Sequence, residues 1–121
     1  MGYVAALTAA GCNVLEFETT GSYQGEWYAL VEYEYEDEVG LIEGSYGSCS
    51  ACDAFEAEFG YWDNEKDNYQ ERLVNFGKTY LPVMPIDIRI CDLEKRVAKN
   101  DWGDYKEALE ILVKWKSDYK L

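Results

Sequence analysis

The stretch that most restricts the fold runs from Gly25 to Tyr46, GEWYALVEYEYEDEVGLIEGSY, and alternates with period two around a polar interruption. Trp27, Ala29, Val31, Tyr33 and Tyr35 fall on one face, while Glu26, Glu32, Glu34 and Glu36 share the other with Tyr28 and Leu30. Successive side chains of a strand point to opposite faces, so the pattern predicts an antiparallel hairpin with one face buried and one solvated. Glu36, Asp37 and Glu38 supply its turn, and Val39 to Tyr46 the returning strand. Asn13 to Thr19 alternates in the same way, with Leu15 and Phe17 opposite Glu16 and Glu18, which predicts a further strand. On the solvated face the carboxylates would follow one another about 6 to 7 Å apart, comparable to the phosphates of one nucleic-acid strand.

Beyond residue 50 the period lengthens. Phe55 and Phe59 lie four apart in a short helical segment, Asp53 to Phe59. Asn64 and Asp67 are suited to cap a helix carrying Tyr69, Leu73, Phe76 and Tyr80, ended by Gly77 and the LPVMP segment. Pro85 suits the first turn of another helix, in which Ile86, Ile90, Leu93 and Val97 would face inward, although IDIRI also suits a strand. Asp104 and Glu107 form a capping-box pair before a helix with Tyr105, Leu109, Leu112 and Trp115 or Lys116 on its inner stripe. Residues 3 to 10 fit either a short helix closed by Gly11 or a buried strand. The expected class is α+β, a small antiparallel sheet of about three strands packed with three to four helices. A chain of 121 residues suits a single domain, 1–121, with an acidic β-rich half (1–65) and a charge-balanced helical half (66–121).

The charge is unevenly divided. From Met1 to Glu65 there are fourteen acidic residues and no Lys or Arg; from Lys66 to Leu121 there are eleven basic and ten acidic residues. A field of that sign repels a phosphate backbone, which argues against direct nucleic-acid binding through the first half and favours a basic partner. Acidity also keeps a small protein soluble, and that plainer account competes with the first. The amino terminus, MGYVAALTAAG, has no basic n-region and its apolar run is broken by Thr8 and Gly11, so a cytoplasmic protein is expected, without a membrane partner. Ala6 stands where a myristoylation signal wants Ser or Thr.

Cys49 and Cys52 form the one close cysteine pair, and the chain has no His. A zinc site would need Cys12 and Cys91 to converge on that pair, an uncommon assembly from one knuckle and two singletons. A redox role needs a lowered thiol pKa, but Asp53, Glu56 and Glu58 oppose a thiolate and no nearby cation compensates. The preferred reading of GSYGSCSACD is a strand-to-helix turn in which Ser48, Ser50 or Asp53 caps amides and both cysteines pack as small apolar residues, with no cofactor. No His-based triad, nucleophile elbow or phosphate-binding glycine loop is present, and carboxylate pairs arise by default in so acidic a segment. The chain is therefore not expected to be an enzyme.

The run GSYQGEWYALVEYE followed by GLIEGSYGSCSACDAFEAEFGYWD resembles small acidic proteins of bacteriophage and prophage origin, which carry a similar G-S-Y-x-G-x-W strand and G-S-C-S-x-C-D-x-F turn. The similarity extends from Val14 to about Tyr80, and Cys49, Cys52, Asp53 and Phe55 fall on the motif. No site residue can be carried over from that family. The resemblance implies a context, in which small acidic phage proteins act as DNA mimics or anti-CRISPR inhibitors. Joined to the charge division, it leads to the expectation of a non-enzymatic inhibitor that occupies a basic surface of a host nucleic-acid-handling protein. Glu26, Glu32, Glu34, Glu36, Asp37, Glu38 and Glu43 would make the contact, with Tyr28 and Tyr46 as aromatic anchors. A metal- or thiol-dependent module centred on Cys49 and Cys52 is a second reading. A binding protein for a small anionic defence signal is a third, and would draw its cations from Lys66, Arg72, Lys78, Arg89, Lys95 and Arg96.

Overall fold

A computed structural model describes residues 2–33, 36–47, 53–59, 68–100 and 103–121, with the side chains of residues 36–38 outside the description. Among these residues are three strands and five helices: α1 (Tyr3–Ala9), β1 (Cys12–Thr19), β2 (Gly25–Tyr33), β3 (Glu36–Tyr46), α2 (Ala54–Phe59), α3 (Tyr69–Lys78), α4 (Ile86–Ala98) and α5 (Tyr105–Asp118). The strands form one antiparallel sheet in the order β1-β2-β3, and the fold is α+β as expected. No helix among the described residues is long and apolar enough to cross a membrane.

The central strand departs from the expected half-buried pattern, because Trp27, Tyr28, Ala29, Leu30 and Val31 are all buried. Helices cover both faces. On one, Tyr28, Leu30 and Leu41 pack against Ile86, Ile90 and Leu93 of α4 and Ala108, Leu112 and Trp115 of α5. On the other, Trp27, Ala29, Val31, Ile42 and Tyr46 pack with Tyr3 and Leu7 of α1, and Phe76 and Tyr80 flank them. The expected row of solvated carboxylates is thus interrupted by an apolar centre. Glu26 precedes it and Glu32 follows it. The reason is that α4 and α5 each carry an apolar stripe that has to be buried somewhere, and Tyr28, Leu30 and Leu41 provide the surface.

Two details of the sheet also differ. The β1–β2 register shifts between Val14 and Glu16. Leu15 therefore packs at the α4–α5 side and Phe17 at the α1 side, rather than together. Glu36 pairs with Tyr33, so Glu36, Asp37 and Glu38 begin β3 instead of forming the turn. The outer edge of β3 is paired at Leu41, whose N–H donates to the Met84 carbonyl at 2.7 Å and whose carbonyl accepts from Met84 N–H at 2.9 Å.

Residues 3–10 choose the helix, ended where Gly11 takes φ 101°, a conformation that favours glycine. Of the candidate caps before α2, Asp53 is the one within the described residues. Its Oδ1 accepts from the amides of Phe55 (3.0 Å) and Glu56 (3.2 Å). The caps foreseen at Asn64 and Asp67 lie outside the described residues, and the residue preceding α3 is Asn68. IDIRI is helical, with Pro85 immediately before α4. The capping box before α5 is not formed, since the Asp104 side chain makes no cap hydrogen bond. Trp115 rather than Lys116 completes the inner stripe of α5, and Lys116 pairs with Asp87 of α4.

Candidate functional site

The α4–α5 layer does not reach the end of the sheet where β2 begins. Glu26 and Tyr28 of β2 and Glu43 of β3 stand there on the covered face, Tyr28 directly across from Glu43 in the register. Arg89, Asp92, Leu93 and Arg96 of α4 and Tyr105 of α5 complete the walls of a cleft of about 200 Å³. A smaller cavity of about 120 Å³ adjoins it, sharing Glu26, Tyr28 and Tyr105 and adding Thr20, Gly25, Gly103 and Asp104.

One chain of polar contacts runs along the helix wall. Arg89 donates through Nη2 to the Glu43 carboxylate and through Nη1 to Asp92 Oδ2 at 3.1 Å. Arg96 donates through Nε to the same Asp92 oxygen at 3.0 Å and through Nη1 to the Tyr105 hydroxyl at 3.3 Å. Its guanidinium also lies 5.1 Å from the Tyr105 ring centre. Residues 89, 92 and 96 can act together because three- and four-residue steps share one helix face. Arg89 and Glu43 are about three-quarters withdrawn from solvent, and the buried Nε of Arg89 has no acceptor among the described residues. Glu26 is exposed and carries no ion pair among the described residues.

The electrostatics follow from burial and neighbours. Burial pushes the Glu43 carboxyl above its ordinary value; Arg89 opposes the rise, and Glu26 and Asp92 add to it. Asp92 is held below the usual carboxylate range, chiefly by the hydrogen bond from Arg96. Burial, with Glu43 and Glu26 alongside, pushes the Tyr28 hydroxyl up to about 12.

Three of the residues expected to bind a partner, Glu26, Tyr28 and Glu43, therefore meet in one place, but not as a flat acidic face. Tyr28 is 4% exposed and cannot serve as a surface anchor. Tyr46 is likewise buried, on the opposite face, where its hydroxyl donates to the Thr20 carbonyl at 2.7 Å. Glu32 is exposed near the far end of β2, across from Asn13 and Val39. Glu34 and the side chains of Glu36, Asp37 and Glu38 lie outside the described residues.

Cys49 and Cys52 also lie outside them. Cys12 is buried on the α1 side of the sheet, while Cys91 is exposed on α4, which covers the other side. The two single cysteines thus do not converge. Among the described residues no group of three or more His, Cys, Asp or Glu is placed to hold a metal ion.

The cations foreseen for an anionic ligand are spread out and engaged. Arg72 donates to the Glu58 carbonyl at 2.6 Å and lies 5.2 Å from the Phe59 ring centre, whereas Arg89 and Arg96 are tied to carboxylates in the cleft. Lys78 and Lys95 are exposed on α3 and α4, and Lys66 is outside the described residues. Arg89, Asp92, Arg96 and Tyr105 were missing from the partner-binding set read from the sequence. The spacing of residues 89, 92 and 96 on α4 was the available signal, and it becomes legible only once the Ile86–Ile90–Leu93 stripe is known to face the sheet; for Tyr105 of α5 there was none.

Fold and cleft together define an α+β protein with a mixed-charge pocket at one end of its sheet. Protein-family profiles, curated proteins and solved structures yield no match to the chain.

Proposed function

We propose that the protein is a non-enzymatic inhibitor of phage type that binds a basic surface of a nucleic-acid-handling host protein, such as a CRISPR effector, and blocks its substrate. One observation carries this reading: Glu18, Glu26 and Glu32 are exposed on β1 and β2 with no ion pair among the described residues, in a half of the chain that has no Lys or Arg. All three belong to the sheet face that α4 and α5 cover, and they stand around the margin of that layer. Carboxylates that are not neutralised within the chain keep their full attraction for a cationic surface, and they accelerate encounter as well as orient it.

The experiment is an affinity capture from bacterial lysate with the full chain as bait, at low and at high salt. A basic nucleic-acid enzyme retained at low salt, released at high salt and inhibited by the purified protein is the expected result. Capture that resists salt, or a partner whose activity is unchanged, overturns the reading.

A further inference from the structure

Among the described residues three tyrosines are buried, and two of them have hydrogen-bond partners within the chain. Tyr3 donates to Asp53 at 2.7 Å and Tyr46 to the Thr20 carbonyl at 2.7 Å. Tyr28, only 4% exposed as a residue, makes no hydrogen bond among the described residues, and its hydroxyl is the polar tip of an otherwise buried ring at the wall of the cleft. Its electrostatic neighbours are Glu43, Glu26, Arg89 and Tyr105, all of them walls of the cleft, so the hydroxyl is directed there.

The charges of the cleft decide what could meet it. Arg89 and Arg96 are both neutralised, the first by Glu43 and Asp92 and the second by Asp92. Glu26 and Asp104 have no cation among the described residues, and they stand at the part of the cleft that Tyr28 and Tyr105 share with the smaller cavity. An anion would face Glu26, Glu43 and Asp104 with no free arginine to receive it. A small cation with several N–H donors would match the two acceptors, donating to the Glu26 carboxylate and to the Tyr28 oxygen with aromatic rings beside it, while the Nε of Arg89, itself a donor, is not served by it.

We propose that the cleft between β2, β3, α4 and α5 is a binding site for an alkylguanidinium or alkylammonium group, held by Glu26 and Tyr28. The volume suits a single side chain or a molecule of that size. The group can come from a free small molecule or from an arginine or lysine of another protein. The site stands apart from the inhibitor reading, since it can bind a free cation whether or not a basic host protein is the partner.

The test is a titration of isotope-labelled full chain followed by backbone amide shifts, using butylguanidinium and butylammonium as probes and inorganic phosphate as the opposed charge. Saturable shifts at Tyr28, Glu43 and Tyr105 with the two cations are expected. Glu26→Gln and Tyr28→Phe should each weaken binding by about tenfold or more, the usual effect of removing a hydrogen bond to a charged group. Because the Tyr28 hydroxyl has no hydrogen-bond partner among the described residues, Tyr28→Phe should not lower the melting temperature, and this separates a ligand role from a packing role.

A Gly-Arg-Gly peptide distinguishes the sources: binding much tighter than butylguanidinium indicates a protein side chain, and equal binding a free molecule. The proposal is overturned if phosphate rather than the cations produces the shifts, if neither cation saturates, or if both variants bind like the parent. Loss of host-protein capture with cation binding intact would count against the inhibitor reading alone.

Discussion

The hydroxyl of Tyr3 donates a 2.7 Å hydrogen bond to Oδ1 of Asp53, tying the first helix to the start of the second. Both residues are essentially sealed from solvent, at 0% and 1% exposure. Asp53 also accepts from the amides of Phe55 and Glu56 and, through Oδ2, from Gly47 at 3.1 Å. One carboxyl thus closes the end of β3, caps α2 and satisfies a buried tyrosine. Asp53→Ala strands several buried donors at once and should cost roughly 2 to 4 kcal/mol in urea unfolding. Tyr3→Phe leaves the cap in place and should cost about 1 kcal/mol. Equal effects would show that the cap contributes little.

Gly77 is the contact point between α1 and α3, and a Cβ placed there would lie 2.1 Å from the Ala6 carbonyl oxygen. In an exposed helix interior, Gly→Ala normally stabilises by up to about 1 kcal/mol. Here the backbone of α1 is the obstacle, so Gly77→Ala should instead destabilise by about 1 to 3 kcal/mol as the helices separate. Thermal unfolding of the single variant checks the sign.

Neutralising Glu18, Glu26 and Glu32 together as Gln removes three charges and nearly preserves shape. Because none of them has an ion pair among the described residues, stability should stay the same or rise slightly as self-repulsion falls. Affinity for the basic partner should drop, and its dependence on salt should flatten. Reversal of Lys114 and Lys120 on the carboxy-terminal side is the matched control; Lys116 is left alone because it pairs with Asp87. If the control variant fails and the triple variant binds normally, the acidic margin is only solvated surface.

Alkaline pH should unfold the protein through its tyrosines. Burial raises Tyr3, Tyr28 and Tyr80 above the ordinary 10.0, Tyr28 to about 12. Between those values the folded chain keeps protons that the unfolded chain releases. The stabilisation tied to these groups is therefore complete below pH 10 and is lost as pH rises through the folded values. Urea midpoints measured from pH 9 to pH 12 should fall continuously. The decline should persist in Tyr28→Phe, carried by Tyr3 and Tyr80, but be shallower.

Protonating Glu43 leaves Arg89 less neutralised and repulsive to a cation in the cleft, so part of the cation binding should be lost as pH falls through the Glu43 value, which burial raises above the ordinary 4.5. Asp92, held down by Arg96, keeps its charge over the same range and continues to neutralise Arg89 and Arg96. Glu26, Asp104, Tyr28 and Tyr105 face the same space. Glu43→Gln should remove the Glu43 component of the profile, which is read by repeating the butylguanidinium titration between pH 4 and pH 8.

Local pattern specified most of the elements but left residues 3–10 and IDIRI open between helix and strand. The period-two run from Gly25 to Tyr46 determined a hairpin, and the three- and four-residue steps of Tyr105, Leu109, Leu112 and Trp115 determined a helix, because backbone geometry alone sets which side chains share a face. What those faces meet depends on the whole molecule. The glutamates of β2 seemed to mark a solvated surface, but Tyr28 and Leu30 between them receive α4 and α5, and only the ends of the row remain open. The cleft is a product of that docking. Glu26, Glu43, Arg89 and Tyr105 come from four separate elements, and no periodicity along the chain encodes where the edge of one packed layer falls on another.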